Sequence, residues 1–446
     1  MANKRCAVLG SGYKGLVGAY LLSVKGYEVA VFDKAKNVGG VMNSIARDGF
    51  YLDLGCHLFD NVEREITRLT MDLLENEIVP VNVKYGSILN GKKSNMAVPD
   101  LTSLGDEISN KIVAEMLDHK KSEIKASNAL NHLRIRHGQT ACSYLEDSLE
   151  KVFASDPKKL SPLALDSISL FNRIRVGTEF KSRKLKEDPY FDDRLAVPPL
   201  ENPLEFYRDQ VDIKTFRNFY PKGNGMGAFS EKAKRKLDRM GVSFFLGSEI
   251  ERLEHGSRDI FNLYFDGNKY TFDKVFWALP VEFIGDVFKI ETTIKGYSYP
   301  VPMVLYYFFL EKKDLGNDFY IHNYDKKDIV FRMSIPSHYG EGNAPEGKGY
   351  ICCEVPTSID SETWENAEYL KNKVWEEVKK YGLSKAKKPL GSWMFKTPVS
   401  YRVPKLGYEE ILKNTLEKVP KSNSLIGCGD WSYNKINITR DLLELL

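Results

Sequence analysis

Residues 1–40 read MANKRCAVLGSGYKGLVGAYLLSVKGYEVAVFDKAKNVGG. The apolar run Cys6–Leu9 has the length of a buried strand and stops at Gly10, where a residue without a Cβ permits a tight turn. Gly12 removes the side chain that would block a pyrophosphate, and Gly15 lets the next helix pack closely on the strand. Leu16, Val17, Ala19, Tyr20, Leu21 and Leu22 predict a helix apolar enough to be buried, its unpaired N–H groups and positive dipole end aimed at the turn. Gly26 closes that helix. A second strand, Tyr27–Phe32, ends in Asp33 with Lys34 beside it, roughly 20 residues past Gly10, which suits a carboxylate accepting hydrogen bonds from a ribose. A glycine triplet alone matches many turns. Set between a strand and a helix, with an acid at this distance, it predicts a dinucleotide site.

A second glycine pair, Gly39–Gly40, follows within KAKNVGGVMNS and is not needed for a nicotinamide cofactor. It resembles the flavoprotein pattern in which backbone amides after the ribose acid approach the FAD pyrophosphate. The stretch DGFYLDLGCHLFDN (48–61) resembles the "DLG.H" segment of the FAD-dependent amine oxidase and protoporphyrinogen oxidase-like superfamily, which also includes UDP-galactopyranose mutase. Three later stretches are similar to blocks of the same superfamily: FYPKGNGMGAFSEKAKRKLDRMGVSFFLGSEIERLE (219–254), KVFWALP (274–280), and YRVPKLGYEE with SLIGCGDWSYNKINITRDLLELL at the end of the chain.

The resemblance implies an α/β fold, with a Rossmann-like FAD-binding domain (1–62, 218–285 and 390–446) interleaved with a mixed α+β substrate domain (63–217 and 286–389). It implies non-covalent FAD held by Gly10, Gly12, Gly15, Asp33, Lys34, Gly39 and Gly40. Ile250 would run beside the adenine, and Gly429 and Asp430 would meet the ribitol or pyrophosphate. A last helix beginning near Asn437 and Ile438 would aim its N-terminus at the flavin pyrimidine, where a partial positive charge favours the anionic reduced ring. His57, after the glycine turn expected at the isoalloxazine, is the catalytic candidate, able to orient the ring or shuttle a proton; a satisfied structural histidine is the alternative. Tyr190 and Arg194, in YFDDRLAVP (190–198), resemble a mutase substrate segment, with a surface loop as the bland reading. Trp431 and Tyr433 would wall the substrate pocket, unless they are core aromatics. Two positions depart from the pattern: Cys428 stands where an arginine is usual after the glycine, and Ser432 where the mutase carries one.

Composition agrees with an enzyme of this kind. A chain of 446 residues can bury a large core in two domains. A net charge of +3 makes no electrostatic case for nucleic acid, and the basic runs at 181–186 and 385–388 read as solvated surface. Six cysteines lie without metal spacing and read as reduced thiols, which with a first strand starting near residue 5 predicts a cytoplasmic protein and no metal site. The longest apolar run, 301–310, falls short of the roughly 20 residues that span a bilayer and predicts a buried strand. Between these landmarks the pattern predicts a helix after residue 62, a hairpin turning at Asn90–Gly91, and helices running to about residue 176.

Three functions follow from the resemblance: an FAD-dependent oxidoreductase that takes a hydride from a small molecule, with surface-sugar or secondary metabolism as its setting; a non-redox nucleotide-sugar mutase; and a flavin-binding protein without catalysis. Fold fixes the cofactor better than the substrate.

Overall fold

The computed structural model describes residues 4–61, 63–120, 125–198, 216–429 and 434–446. The N-terminal reading holds to within a residue or two: strand β1 (Arg5–Leu9), helix α1 (Tyr13–Val24) and strand β2 (Glu28–Asp33) form a βαβ unit. Its strands join a five-stranded parallel sheet in the order Ser243–Leu246, β2, β1, Lys274–Trp277, Leu425–Ile426. All five are parallel, so their connections must cross over outside the sheet, and long stretches of chain are looped out between them. This is a Rossmann-like α/β domain, accompanied by a larger mixed α+β domain.

The larger part is built on a seven-stranded sheet with Gly391–Pro404 at one edge, then Ser298–Glu311, Lys348–Pro356, Arg332–Ser334, Tyr320–Asn323, and the hairpin Tyr85–Leu89 and Lys92–Ser94. The hairpin turns on Asn90 and Gly91, both at positive φ, as a two-residue turn requires. The apolar run 301–310 lies in the long strand Ser298–Glu311 and is buried on both faces. Val304, Tyr306 and Phe308 face Val374, Trp375 and Val378 of the helix Lys371–Lys380, while Met303, Leu305 and Tyr307 face Phe50 and Leu52. A period of two with both faces covered leaves a run that is apolar throughout.

Helices Asp106–Lys120 and Ala129–Phe153 form a separate layer, whose core includes Ile112, Met116, Leu133, Leu145 and Phe153 and reaches the sheet at Tyr324 and Phe331. The expected helix up to residue 176 is cut short: only Ala164–Ile168 is helical. Ser169 takes a left-handed conformation, the chain turns through residues 170–172, and Ile174 and Arg175 are then bridged to Leu195 and Asp100. Pairing with these distant segments outweighs the local helical pattern there. Among the described residues no helix is long and apolar enough to cross a membrane.

Candidate functional site

The first glycine turn is shaped by what each missing Cβ would strike. Gly10 sits at φ +103°, its N–H donating to the Phe32 carbonyl (2.8 Å). A Cβ on Gly15 would lie 1.9 Å from the Gly10 oxygen, so a side chain there would drive α1 off β1. A Cβ on Gly12 would meet no atom within 4 Å. The second glycine pair lies alongside: the Gly39 N–H donates to the Ser11 carbonyl (2.7 Å), Gly12 and Gly39 form a bridge, and a Cβ on Gly40 would lie 3.6 Å from the Gly12 Cα. Two turns far apart along the chain, joined at Gly12 and Gly39, therefore make one backbone surface, beside an N-terminus of α1 that has no side-chain cap and no acid in its first turn.

At one end of this surface lies a cavity of about 250 Å³ bounded by Asp33, Lys34, Ile250, Leu279 and Phe283. One Asp33 oxygen accepts from the Ser11 N–H (2.6 Å) and hydroxyl (2.8 Å), and the other from the Ala35 N–H (2.8 Å). A carboxylate has about four acceptor sites, so room for one further donor remains. Lys34 pairs with Glu249 (3.4 Å) and lies over the Phe283 ring.

At the other end is a cavity of about 350 Å³ where the two parts of the molecule meet. Cys56 and His57 line it from the loop after strand Phe50–Asp53, Arg332 and Glu354 from the seven-stranded sheet, Tyr401 from its edge strand, and Asn434 and Lys435 from the start of the last helix. Arg332 grips Glu354 with two bonds (2.6 and 2.7 Å), and the Cys56 N–H donates to the same carboxylate (2.9 Å). Gly55, at φ +107°, brings the chain so close that a Cβ would lie 3.3 Å from that carboxylate. The ion pair is thus the seat on which the His57 loop rests. Burial opposes the charge on Arg332, but Glu354 more than offsets it and holds the guanidinium above its ordinary value.

His57 is neutral in this setting. Burial, with the charges of Lys435 and Arg332, pushes it down to about 3, and Nε2 donates to the Leu54 carbonyl (3.2 Å), which leaves Nδ1 as the acceptor nitrogen. Burial likewise pushes the Cys56 thiol up to about 11 and lowers Lys435.

The last helix runs from Lys435 to Leu445, two residues earlier than its expected start, because the Asn434 side chain caps it by accepting from the Ile436 N–H (2.8 Å). Asn437 is exposed and Ile438 half-buried in its first turn, and Thr439 shares a hydrogen bond with Tyr13 of α1 (2.8 Å). Gly429 ends a turn at φ +92°. Asp430, Trp431, Ser432 and Tyr433 lie outside the described residues. Tyr190 and Arg194 sit in the helical layer: the Tyr190 hydroxyl donates to the Met116 carbonyl (2.9 Å), and the Arg194 guanidinium stacks 3.8 Å from the Tyr190 ring centre while donating to the Tyr190 carbonyl (2.9 Å). Neither lines the cavity that holds His57.

Arg332, Glu354 and Lys435 were not anticipated from the sequence. The first two are charged residues 22 positions apart on neighbouring strands, and nothing local distinguishes them from solvated charges. Lys435 carried a signal, as a cation two residues before the expected start of the last helix.

Comparison with known proteins follows the same lines. The profile of the NAD(P)-binding Rossmann-like domain matches residues 8–73. The chain is 23% identical over 406 residues to 1-hydroxycarotenoid 3,4-desaturase of Flavobacterium sp. (strain P99-3), covering 81% of this chain and 78% of that one. It is 31% identical over 217 residues to protoporphyrinogen oxidase 2, chloroplastic/mitochondrial, of Arabidopsis thaliana, covering 42% of this chain and 43% of that one. A crystal structure of reduced UDP-galactopyranose mutase superposes with a TM-score of 0.69 at 14% identity, covering 100% of this chain and 93% of that chain, a likeness of fold. Together these place the chain in a Rossmann-fold, FAD-binding superfamily related to protoporphyrinogen oxidase and single out no family within it, the likeness to the mutase being one of fold.

Proposed function

We propose that the chain is an oxidoreductase that holds FAD non-covalently along the two apposed glycine turns and takes a small polar substrate in the cavity at His57. The observation that carries this reading is Gly12, bridged to Gly39, where a Cβ would meet no protein atom within 4 Å. A cradle of this kind suits a dinucleotide, and its two ends differ as the two ends of FAD do. The smaller cavity, with Asp33 and the Ile250 strand, suits a ribose and adenine. The larger, at the N-terminus of the last helix, suits the flavin.

Bound FAD would supply a two-electron acceptor for a hydride taken from a C–H bond. The protein supplies the rest. Asp33 would hold the ribose, the N–H groups at the start of α1 would meet the pyrophosphate, and the N-terminus of the last helix with Lys435 would favour negative charge at the pyrimidine end. His57, held neutral by burial and by Lys435 and Arg332, resists protonation near neutral pH and offers an acceptor nitrogen that can orient a substrate donor. Asp60, Arg332, Glu354 and Lys435 around the cavity favour a polar substrate over a long apolar one, since burying charged groups against hydrocarbon is costly. The nucleotide-sugar reading calls on Arg194 as the phosphate grip, and that guanidinium is engaged with Tyr190 instead.

The test is the visible spectrum of the purified protein, with release of the chromophore by acid. A yellow protein that yields FAD and is bleached anaerobically by a small amine or alcohol supports the proposal. A colourless protein that cannot be reconstituted with FAD, yet binds NADH, overturns it. Turnover of a UDP-sugar only after reduction would mark the mutase.

A further inference from the structure

The large cavity differs from one end to the other. Across the seven-stranded sheet its wall changes from Tyr401 on the edge strand and Met303 on the next to Glu354 and Arg332 on the two after that. Asp60 and Lys435 belong to the charged end: Lys435 lies over the ring of Phe59, the neighbour of Asp60 (5.6 Å), and feels the charges of Asp60 and Arg332. The other end is bounded by residues 167–170 of the helical layer, where the short helix Ala164–Ile168 packs on the edge strand. Three hydroxyls at that end are already engaged. Ser167 donates to the Ala164 carbonyl (2.6 Å), Ser169 to the Asp166 carbonyl (3.4 Å) and Tyr401 to the Val152 carbonyl.

Ile168 and Leu170 flank Ser169, which sits at φ +52°. In a continued helix residues two apart do not share a face. The left-handed serine ends the helix between them, and both half-buried side chains line the cavity. A serine at positive φ is uncommon, and strain of this kind collects at turns that clamp ligands. We propose that Ile168 and Leu170 are specificity-determining residues that receive an apolar group of the substrate, whose polar reacting end lies toward Asp60 and His57. Which end reacts rests on the oxidoreductase reading above; the proposal adds what the rest of the substrate must be. At about 350 Å³ the cavity stands at the small end of the range for ligand sites, about 300–1,000 Å³, so the apolar group is a short chain or a single ring. The substrate class is therefore a short amphipathic molecule, polar where it reacts and apolar where it is recognised.

The experiment titrates the purified protein, its FAD content recorded, with two homologous series by calorimetry: the carboxylates from propionate to heptanoate and the primary amines from propylamine to heptylamine. In the wild type, affinity for one series should rise about fourfold per methylene until the apolar end is filled. Ile168→Thr and Leu170→Asn should flatten that rise. Ile168→Phe, which keeps the wall apolar and fills the same space, should leave the shortest homologue unchanged and end the rise earlier, and it carries the test should the polar variants fail to fold. No binding, affinity independent of chain length in both series, or the wild-type rise retained in every variant overturns the proposal. A rise that depends on Ile168 and Leu170 in protein that neither contains nor takes up FAD supports the apolar subsite and overturns the oxidoreductase reading; FAD-containing protein without a rise overturns the subsite alone.

Discussion

Gly12 and Gly15 stand three residues apart in one turn and have different physical reasons to lack a side chain. At Gly15 the neighbour is the protein's own backbone, 1.9 Å from where a Cβ would stand. At Gly12 no protein atom lies within 4 Å, and its φ of −68° is one that alanine adopts without strain. Gly15→Ala should therefore destabilise the folded protein by about 1–3 kcal/mol, as overpacking does. Gly12→Ala should leave the thermal midpoint of cofactor-free protein within a degree or two and still abolish FAD retention. Calorimetric melts with a flavin assay separate the two effects; equal loss of stability in both variants would mean that Gly12 is a folding residue and not part of a cradle.

Between elements, the contact that fixes the large cavity is the Arg332–Glu354 pair, joined in register across two neighbouring strands. Glu354 is nearly fully buried and also takes the Cys56 N–H, so it ties the seven-stranded sheet to the loop carrying His57. Removing one partner of a buried pair strands the other charge, at a cost of about 3–5 kcal/mol, whereas replacing both with apolar groups often costs less. Glu354→Leu should lower stability in urea by about that amount, and Arg332→Met/Glu354→Leu should recover part of it. A double variant as unstable as the sum of both singles would show that the two charges do not act as a pair.

At the scale of the whole molecule, buried histidines set the response to acid. His137 and His322 are almost without exposure, and burial pushes each down to about 3. Unfolded, each titrates near 6.5, so between about pH 3 and 6.5 the unfolded chain binds more protons, and stability is lost as pH falls through that window. Asp53 works the other way. Burial raises it to about 6, so its contribution favours the fold at low pH and is lost as pH rises from about 3.8 to 6. Two histidines outweigh one carboxyl. From pH 7.5 to pH 5 each histidine should cost about 2 kcal/mol, so denaturant midpoints should fall on acidification, and His322→Gln should reduce that fall by about the same amount. A midpoint independent of pH over this range would contradict the burial of both rings.

The sequence by itself determined the βαβ unit, the apposition of Asp33 with the glycine turn, the hairpin at Asn90–Gly91 and the buried strand at 301–310. Each depends on neighbours within a few tens of residues, where strand period, turn chemistry and a missing Cβ are legible. The end of helix at Ser169 was not legible, because the bridges of Ile174 and Arg175 to Leu195 and Asp100 are made with remote chain. Only the tertiary structure decided that Glu354 seats the His57 loop and that Arg194 stacks on Tyr190 instead of facing the cavity. A side chain's charge is written in the sequence, but its partner is chosen by the crossing of strands far apart along the chain.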